Sequence, residues 1–454
     1  MVMRPFIIVA LAFSVNACTQ KNPNLCCMLQ ADCDAVGLPA TTGCDDGLVC
    51  RGNQCIAETC SSSVQCDSAA PFCNGESCVE RCSDDSQCPG FQGDPAATFC
   101  VDGACASCRA DHDDCPANAP VCDNGGCRTC VVDTDCASAV CDLETGSCVD
   151  ASSILYVATT GGNGACTQAD ACSLARGMSL IGPSHSILRL DAGTYPTTIS
   201  FPVGTQVRII GVDATIDAGT ATYAVTLGAG SNVRARGLKV TRGDVNCLAT
   251  QGQPSSLTLE DVDTAGISIS TAHCNLNLLR SKVSGVLAQE TGGVTADRST
   301  INNLNLAFSM GIIVDIRNTI FLQAPSLGSS THPSSGRISF STFVMQNFAN
   351  CTGTLTYEDD IFLSTGNAGY AIQVSGPCTA TFDHNLAFPQ TTAIGTNMIM
   401  VDPRLASPLN GDYHLSAGSP AIDAADSASV DPIDFDGTSR PQGNGRDLGA
   451  FEFH

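Results

Sequence analysis

The chain has 454 residues, with 45 acidic and 21 basic side chains and a formal net charge of −24. That surplus of negative charge excludes an electrostatic role in nucleic-acid binding, which requires a basic surface. Of the 29 cysteines, 23 precede residue 150 and 6 follow it. The sequence therefore predicts a disulfide-rich first part and a second part long enough to bury an apolar core, in a chain that folds outside the reducing cytosol.

The N-terminus has the pattern of a secretory signal. A positively charged start and an apolar run over residues 5–15 lead to Ala17 and Cys18, and the run is too short to span a bilayer. This segment resembles the lipobox of bacterial lipoproteins, although Asn16 is unusual there. The resemblance implies a signal peptide over residues 1–17 and a membrane anchor on an acylated Cys18. Acylation would leave an even number of cysteines; ordinary cleavage after Ala17 is the alternative.

The cysteines that follow recur in groups of four, each spanning about 20 residues. An acidic or amide residue usually precedes the second cysteine of a group, and a glycine often lies shortly before the fourth. The groups are Cys27, Cys33, Cys50 and Cys55; Cys60, Cys66, Cys73 and Cys78; Cys82, Cys88, Cys100 and Cys105; Cys108, Cys115, Cys122 and Cys127; and Cys130, Cys136, Cys141 and Cys148. Cys26 and Cys44 make an additional pair. Disulfides are favoured over zinc, because the Cys-x2-Cys spacing of zinc knuckles occurs here only across group boundaries.

These groups predict an acidic stalk over residues 18–150, which hold 21 acidic and 5 basic side chains. The pattern resembles cysteine-rich repeats of surface proteins from predatory and soil bacteria and, more loosely, the cysteine-rich modules of animal signalling antagonists. A spacer that lifts the second part away from a membrane is the simplest role. Protein recognition by the repeats is the alternative, and the spacing leaves the connectivity within each group open.

After residue 153, short runs of alternating apolar residues begin about every 21 residues, separated by Gly, Asn, Asp and Ser. A fixed period without intervening helical patterns predicts a solenoid of β-coils, whereas a sandwich or jelly roll needs no such period. Repeated polar residues at the turns, such as Asn318 and Asn385, are predicted to form an internal hydrogen-bonded ladder. The runs cover residues 187–190, 207–210, 233–240, 257–262, 276–283, 294–301, 313–320, 338–344, 355–363 and 380–388.

Two features of this second part predict how its coils are closed. Apolar residues at helical spacing after Cys172, from Leu174 to Ile181, predict a short helix over the first coil, weakened by Gly177. The six cysteines are predicted to pair as Cys166 with Cys172, Cys247 with Cys274, and Cys351 with Cys378. Members of the last two pairs are each 27 residues apart, which suits neighbouring coils.

Segments at both ends carry a family resemblance. Residues 412–415, 419–423, 434–441 and 447–452 resemble the C-terminal segment of bacterial right-handed parallel β-helix surface proteins, and residues 155–157, 172–174 and 191–195 resemble their entrance rung. The resemblance covers about 300 residues. It implies an all-β, right-handed parallel β-helix of the pectate-lyase type over residues 151–410, with a C-terminal cap over 411–454. It specifies fold more strongly than function, because most members have no assigned activity.

Proteins of this fold often depolymerise polysaccharides, so we looked for acid and base groups. Hydrolysis requires two carboxyls across a cleft, and the candidates are Asp359 and Asp360 together with Asp383 and His384 at corresponding places on consecutive rungs. The Gly-His-Gly and Arg-x-Lys phrases of the hydrolases are absent; the nearest is residues 337–339. A structural ladder is the favoured reading of these repeated polar residues.

A second candidate site lies in the C-terminal segment. Asp434 and Asp436 stand in an Asp-x-Asp-Gly sequence that resembles the start of a Ca2+ loop with oxygen ligands. Twelve-residue loops of that kind close with a Glu that is missing here. The alternative, which we favour, is that these acids pair with Arg440 and Arg446 and hold the cap in place.

These patterns together predict an exported lipoprotein of the bacterial envelope, on the outer-membrane surface or otherwise extracellular. Its predicted role is display of a β-helix for adhesion or for binding glycan or another cell's envelope, with no nucleic-acid partner. A polysaccharide lyase or hydrolase is the first alternative and a structural spacer the second. The chain has no Trp and 6 Tyr, so aromatic platforms for sugar rings are scarce.

Overall fold

The computed structural model describes residues 48–51, 54–57, 72–73, 78–79, 81–89, 97–110, 112–264, 266–306, 311–326, 334–345, 348–349, 353–366, 369–373 and 380–454. The chain divides into two compact units between Val149 and Asp150. The predicted signal peptide, Cys18 and the Cys351–Cys378 pair lie outside the described residues. Within the described ranges, no helix is both long enough and apolar enough to cross a bilayer.

The first unit is a series of small antiparallel hairpins. Their strands are β1 Leu48–Arg51, β2 Gln54–Ala57, β3 Phe72–Cys73, β4 Cys78–Val79, β5 Phe99–Val101, β6 Ala104–Ala106, β7 Val121–Asp123, β8 Gly126–Arg128, β9 Cys141–Asp142 and β10 Ser147–Cys148. In each hairpin the third and fourth cysteines of one predicted group are directly paired across the two strands. The predicted groups of four are therefore structural units.

Disulfides within three of these groups follow one scheme, in which the first cysteine bonds the third and the second bonds the fourth. The bonds are Cys82–Cys100 and Cys88–Cys105, Cys108–Cys122 and Cys115–Cys127, and Cys130–Cys141 and Cys136–Cys148. Three clusters of these sulfur atoms are close enough to hold a metal ion. Their atoms are nevertheless bonded to one another, so they offer no thiolate ligands.

The residue before the second cysteine holds the backbone at the start of its group. Asp135 accepts the N–H of Val131 at 2.8 Å, and Asp114 accepts that of Arg109 at 2.9 Å. Arg128 also pairs with Asp135 of the next group at 3.0 Å and with Asp123 of its own at 2.9 Å. The acidic preference at this position thus has a structural cause, and one such acid joins adjacent groups.

The described part of the second unit is built from parallel strands, one antiparallel pair of strands and one helix, α1 Leu174–Leu180. The strands are β11 Ile154–Gly162, β12 Ile187–Leu190, β13 Gly193–Tyr195, β14 Ile199–Phe201, β15 Gln206–Asp217, β16 Tyr223–Leu227, β17 Asn232–Arg242, β18 Asp244–Leu248, β19 Ser255–Glu260, β20 Ser268–Ala272, β21 Cys274–Leu279, β22 Lys282–Gln289, β23 Gly293–Asp297, β24 Thr300–Asn305, β25 Ile313–Arg317, β26 Ile320–Phe321, β27 Ser334–Ser339, β28 Thr342–Met345, β29 Phe348–Ala349, β30 Gly353–Glu358, β31 Ile361–Ser364, β32 Ile372–Gln373, β33 Thr381–Asp383, β34 Leu386–Phe388, β35 Leu405–Ser407 and β36 Asp412–Leu415. Short 3-10 turns lie at Ala151–Ser153 and Pro408–Asn410 in this unit, and at Asp85–Gln87 and Asp133–Asp135 in the first unit.

Two parallel sheets run the length of this unit. The first has the order β11-β12-β15-β17-β19-β21-β23-β25-β27-β30-β33, and the second the order β14-β16-β18-β20-β22-β24-β26-β28-β31-β34. Each strand of a sheet therefore pairs with the corresponding strand one turn later in the chain. This is a parallel β-solenoid, and the predicted all-β class with a disulfide-rich region before it is confirmed.

A sharp corner follows seven strands of the first sheet, namely β19, β21, β23, β25, β27, β30 and β33, on the way to the second sheet. A residue with a left-handed backbone occupies it, with φ between 46° and 58°: Asp261, Arg280, Arg298, Asn318, Phe340, Asp359 and His384. Several runs predicted as single strands, such as residues 276–283 and 294–301, therefore contain two strands and a corner. The corner shifts the buried positions by one residue, from Leu276 and Leu278 before it to Ser281 and Val283 after it. Because apolar residues continue on both sides, the run resembles a single strand.

The residue after the corner forms an internal ladder along later rungs. The N–H of Ser281 donates to Ser299 Oγ at 3.1 Å, that of Ser341 to Asp360 Oδ1 at 2.7 Å, and that of Asp360 to Asn385 Oδ1 at 2.8 Å. The predicted ladder role of Asn385 is confirmed. These acceptors satisfy backbone groups that the corner removes from the strand pairing.

Helix α1 begins after Ser173, whose side chain caps its first turn, and it covers the first rung as predicted. Gly177 has a packing role there in addition to its low helix propensity. A Cβ atom at Gly177 would lie 2.8 Å from Val157 and 2.9 Å from Leu188. The glycine therefore permits the close approach of helix and sheet that the packing requires.

The structure contains the Cys166–Cys172 and Cys247–Cys274 disulfides. Cys247 lies in β18 and Cys274 begins β21, so this bridge joins neighbouring rungs. The partners are 27 residues apart, whereas Cys166 and Cys172 are separated by 6. The Cys247–Cys274 bridge therefore closes the longer loop, and it lowers the conformational entropy of the unfolded chain by more than the Cys166–Cys172 bridge does.

We predict that replacing Cys247 and Cys274 together by Ala lowers the free energy of unfolding by about 3–4 kcal/mol, against about 2 kcal/mol for the Cys166 and Cys172 pair, because loop entropy grows with loop length. Urea denaturation followed by circular dichroism measures both. The second double variant is a matched control, since it also removes two buried sulfur atoms. Equal losses, or a larger loss for the short loop, would contradict the expectation.

Candidate functional site

The acid and base residues singled out in the sequence fall in three places. Asp359 and Asp360 lie inside the solenoid at a corner, Asp383 and His384 lie on the surface of the last rung, and Asp434 and Asp436 lie in the C-terminal cap. The described contacts of each group show whether its side chain is available to a ligand.

Asp359 ties the cap to the solenoid. It is fully buried at a left-handed corner. Its Oδ1 accepts the N–H of Asp426 at 2.7 Å and its Oδ2 accepts the Ser429 hydroxyl. Its backbone carbonyl accepts the N–H of Gly449 at 2.7 Å. Burial raises the pKa of this carboxyl above its usual value, and both oxygens are used in holding the cap.

Asp360 is a member of the internal ladder. It is also fully buried, and its Oδ2 has no hydrogen-bond partner among the described residues. Burial raises the pKa of this carboxyl well above its usual value, and the neighbouring Asp359 raises it further. The protonated form is favoured, because an unpaired negative charge in an apolar interior is costly. Asp360 therefore faces the core and not a cleft.

Asp383 and His384 are accessible. Asp383, with 40% of its side chain exposed, lies 3.1 Å from His384 Nδ1. It accepts hydrogen bonds from Thr396 at 2.6 Å and Asn397 at 3.0 Å. The Thr396 bond is the main reason that the pKa of Asp383 is lowered. This carboxylate is therefore ionised at neutral pH.

These four residues do not form one acid and base pair. In the sheet register Asp383 lies beside Glu358, so it is His384 that follows the position of Asp359. The two pairs were predicted to occupy corresponding places on consecutive rungs, but the register is shifted by one residue, so that His384 corresponds to Asp359. The carboxyls with a raised pKa are buried, and the ionised one lies on the surface. The arrangement lacks a protonated acid facing an ionised carboxylate across an open cleft, which glycoside hydrolysis requires.

Asp434 closes a backbone turn in the cap. Its Oδ1 accepts the N–H groups of Asp436 at 3.0 Å and Thr438 at 2.7 Å, and its Oδ2 accepts the N–H of Glu452 at 2.9 Å. All three bonds lie within the cap, so Asp434 holds the backbone of the segment that resembles a Ca2+ loop.

The predicted partners of the two arginines also differ in the structure. Arg440 is buried and pairs with Glu452 at 2.9 Å, not with Asp434 or Asp436. It also donates to the carbonyls of Asp447 and Gly449. Several oxygen acceptors around this guanidinium compensate for its removal from water.

Arg446 and Asn318 complete the attachment of the cap. Arg446 donates to the carbonyl of Asp431 at 3.0 Å. Asn318 occupies a corner, not the ladder, and its Nδ2 lies 3.2 Å from both Asp297 and Asp431. Its predicted ladder role is wrong, because the ladder acceptor follows the corner by one residue. The amide instead joins a rung to the cap.

His414 was not singled out in the sequence. Its Nδ1 lies 2.7 Å from Asp412 and its Nε2 lies 2.8 Å from Asp436, and its ring packs against Phe451. Partial burial opposes the charged form, but hydrogen bonds with Asp436 and Asp412 outweigh it and raise the pKa of His414. The Asp-x-His spacing in β36 was the only sequence signal for this cluster.

The outer surface of the second sheet carries a polar groove of about 390 Å³. It crosses β20, β22 and β24, and the described lining residues have amide, hydroxyl or apolar side chains and no ionisable group: Gly266, Ser268, Ser284, Gly285, Val286, Leu287, Asn302, Asn303, Asn305 and Gln323. This is a surface for uncharged hydrogen bonding across successive rungs.

A larger concavity of about 770 Å³ lies at the first rungs, between α1 and residues 202–206. Met178, Ile181 and Val203 contribute much of its wall, and it follows the seam where the covering helix meets the sheet. It offers fewer directional polar partners than the groove on the second sheet.

Comparison with known proteins adds a likeness in fold. A solved structure of pectate lyase Pel9A matches with a TM-score of 0.42 and 15% identity, over 66% of this chain and 96% of that chain. No family model matches the sequence, and no curated protein is similar to it.

We predict that Asp360→Asn keeps the ladder and flattens the dependence of stability on pH. Because the pKa of Asp360 is higher in the folded chain than in the unfolded one, its protonated form stabilises the fold. This stabilisation is complete at a pH below the unfolded pKa near 3.8, and it is lost as the pH rises through the folded pKa. Asp360→Ala is the control and should be less stable than Asp360→Asn by about 1–3 kcal/mol at every pH, because both lack the carboxyl but only Ala leaves the Ser341 N–H unsatisfied. Urea denaturation at several pH values between about 4 and 9 measures the free energy of unfolding of each protein. If that free energy varied with pH in Asp360→Asn as steeply as in the unaltered chain, the prediction would be contradicted.

We predict that His414→Gln removes a stabilisation that is greatest at acidic pH. The pKa of His414 is higher in the folded chain than in the unfolded one. Its contribution to stability is therefore complete at a pH below the unfolded pKa of about 6.5, and it is lost as the pH rises through the folded pKa. The side chain is 45% exposed, so the effect should stay below about 1 kcal/mol. Thermal unfolding of the variant and the unaltered chain is measured at pH 5.5 and pH 9, which lie about one unit or more below and above the unfolded pKa of histidine. His112→Gln, at an exposed position of the first unit, is the control. A larger difference at the alkaline pH would refute the assignment.

Proposed function

We propose that this chain is an exported protein whose β-solenoid binds glycan without cleaving it, carried on a disulfide-stapled stalk. The uncharged groove on the second sheet is the observation that carries the proposal. Its amide and hydroxyl groups can exchange hydrogen bonds with sugar hydroxyls, and its volume falls within the range of ligand sites. The buried candidate carboxyls Asp359 and Asp360 are, by contrast, committed to the ladder and the cap.

The proposal extends to location and attachment. Six disulfides in the described part of the first unit support folding in an oxidising compartment. The lipobox-like sequence before Cys18 supports acylation and anchoring in the bacterial envelope. With its N-terminus anchored in the membrane, the chain would display the solenoid at the cell surface for adhesion to glycan or to another cell. Arg128, which bonds acids of two adjacent groups, supports a stalk with restrained joints.

A second candidate function is cleavage of a polysaccharide by the Asp383 and His384 pair. The observation that favours it is their accessibility, since both side chains reach solvent and lie 3.1 Å apart. An ionised carboxylate next to a histidine can take part in proton transfer. The carboxyl with a raised pKa on the neighbouring rung, Asp359, is nevertheless buried and bonded to the cap.

We predict binding without depolymerisation. The purified full chain is incubated with neutral and acidic polysaccharides, with Ca2+ or with chelator. Retardation in affinity electrophoresis reports binding, and reducing ends and unsaturated products report cleavage. Retardation by at least one polysaccharide with no product is the expected result, and Asp383→Asn with His384→Ala should leave it unchanged. Product formation that this double variant abolishes would assign the chain to the enzymes, and absence of both signals would refute glycan binding.

A further inference from the structure

We propose that the groove over Gly285 on the second sheet binds a neutral polysaccharide whose chain runs along the solenoid axis. The inference rests on the proposed glycan binding and adds to it the site and the class of ligand. Its basis is the arrangement of small and polar side chains on three consecutive rungs.

Gly285 forms the floor of the groove. In the register of the second sheet it lies between Ser268 on the preceding rung and Asn303 on the following one. A Cβ atom at Gly285 would lie 2.9 Å from Ser268 Oγ, so even one methyl group would begin to fill the floor. Its φ is not positive, so the backbone does not require glycine. The missing side chain leaves space that the sheet itself does not use.

The edges of the groove are held in place by hydrogen bonds. Ser284 Oγ accepts the N–H of Gly266 at 2.7 Å, and Asp244 accepts the N–H of Ser268 at 2.9 Å. Sites whose backbone is fixed before binding lose less entropy when a ligand arrives. The concavity is thus present without a ligand.

The lining selects against charged polymers. The described lining residues include no ionisable side chain, so an acidic sugar finds no cation there. Residues 151–454 also hold 24 acidic and 15 basic side chains, a surplus of negative charge that repels it. Asn303 and Gln323 offer amide donors and acceptors to neutral hydroxyls. Leu287 adds an apolar surface for the C–H face of a sugar ring.

The repeat of the solenoid gives the direction of the polymer. Strands of one sheet are about 4.8 Å apart, and Ser268, Gly285 and Asn303 occupy one register column across them. Gln323 continues the groove beyond β24. Hydrogen-bonding side chains therefore stand before and after the gap at Gly285 along the axis, and this extended arrangement suits a polymer more than a single small molecule.

The test measures binding of the full chain to galactomannan and mixed-linkage β-glucan, as neutral probes, and to polygalacturonate, as an acidic probe. Affinity electrophoresis gives the dissociation constants. We expect Gly285→Val to weaken binding of a neutral probe at least about tenfold, which corresponds to about 1.4 kcal/mol. Asn303→Ala combined with Gln323→Ala should weaken it too, and these exposed positions keep the test valid should the valine disturb folding. Thr295→Val, on the exposed face of the first sheet, is the matched control and should bind like the unaltered chain.

The outcomes separate the two proposals. If the unaltered, folded chain binds none of the probes, glycan binding and this site fall together. If it binds a neutral probe but the groove variants bind equally well, only the site is wrong. Stronger binding of polygalacturonate than of either neutral probe would overturn the class of ligand.

Discussion

The structure depends on the backbone hydrogen bonds that join each rung to the next. Within the sheets the parallel register provides them, but the corner between them breaks the pairing. A serine, aspartate or asparagine after the corner then accepts the N–H of the rung before it, as in Ser341 to Asp360 and Asp360 to Asn385. Because a buried N–H without a partner costs about 1–3 kcal/mol, these polar side chains belong to the fold before any question of chemistry arises.

The same constraint explains why residues typical of active sites serve structure here. Asp359 stands at a corner and anchors the cap, and Arg440 crosses from the cap towards Asn318 of the solenoid. An end rung exposes unpaired strand edges, which must be covered. Buried charges with several partners make that cover specific to one position. What remains for binding is the outer surface, where the groove over Gly285 is lined by side chains that include Asn303 and Gln323.

The fold class could be predicted from the sequence because a period near 21 residues and the turn composition reflect the rungs directly. The Cys247–Cys274 bridge and the ladder position of Asn385 have the same periodic origin. The corners were missed because apolar residues continue on both sides of them, and their local signal is a one-residue shift in the buried positions. The cap contacts were also beyond reach: Asn318 and Arg440 are 122 residues apart, and His414 joins acids from two segments. No local pattern encodes such pairs.

The disulfide scheme of the first unit has a consequence for how its size can change. In the three groups whose bonds are described, both bridges close within one group, and none joins two groups. Duplication or deletion of a whole group would therefore leave every cysteine with its partner and every hairpin intact. Gene rearrangement can thus alter the reach of this region in steps of about 20 residues without a new folding problem, while the solenoid it carries stays the same.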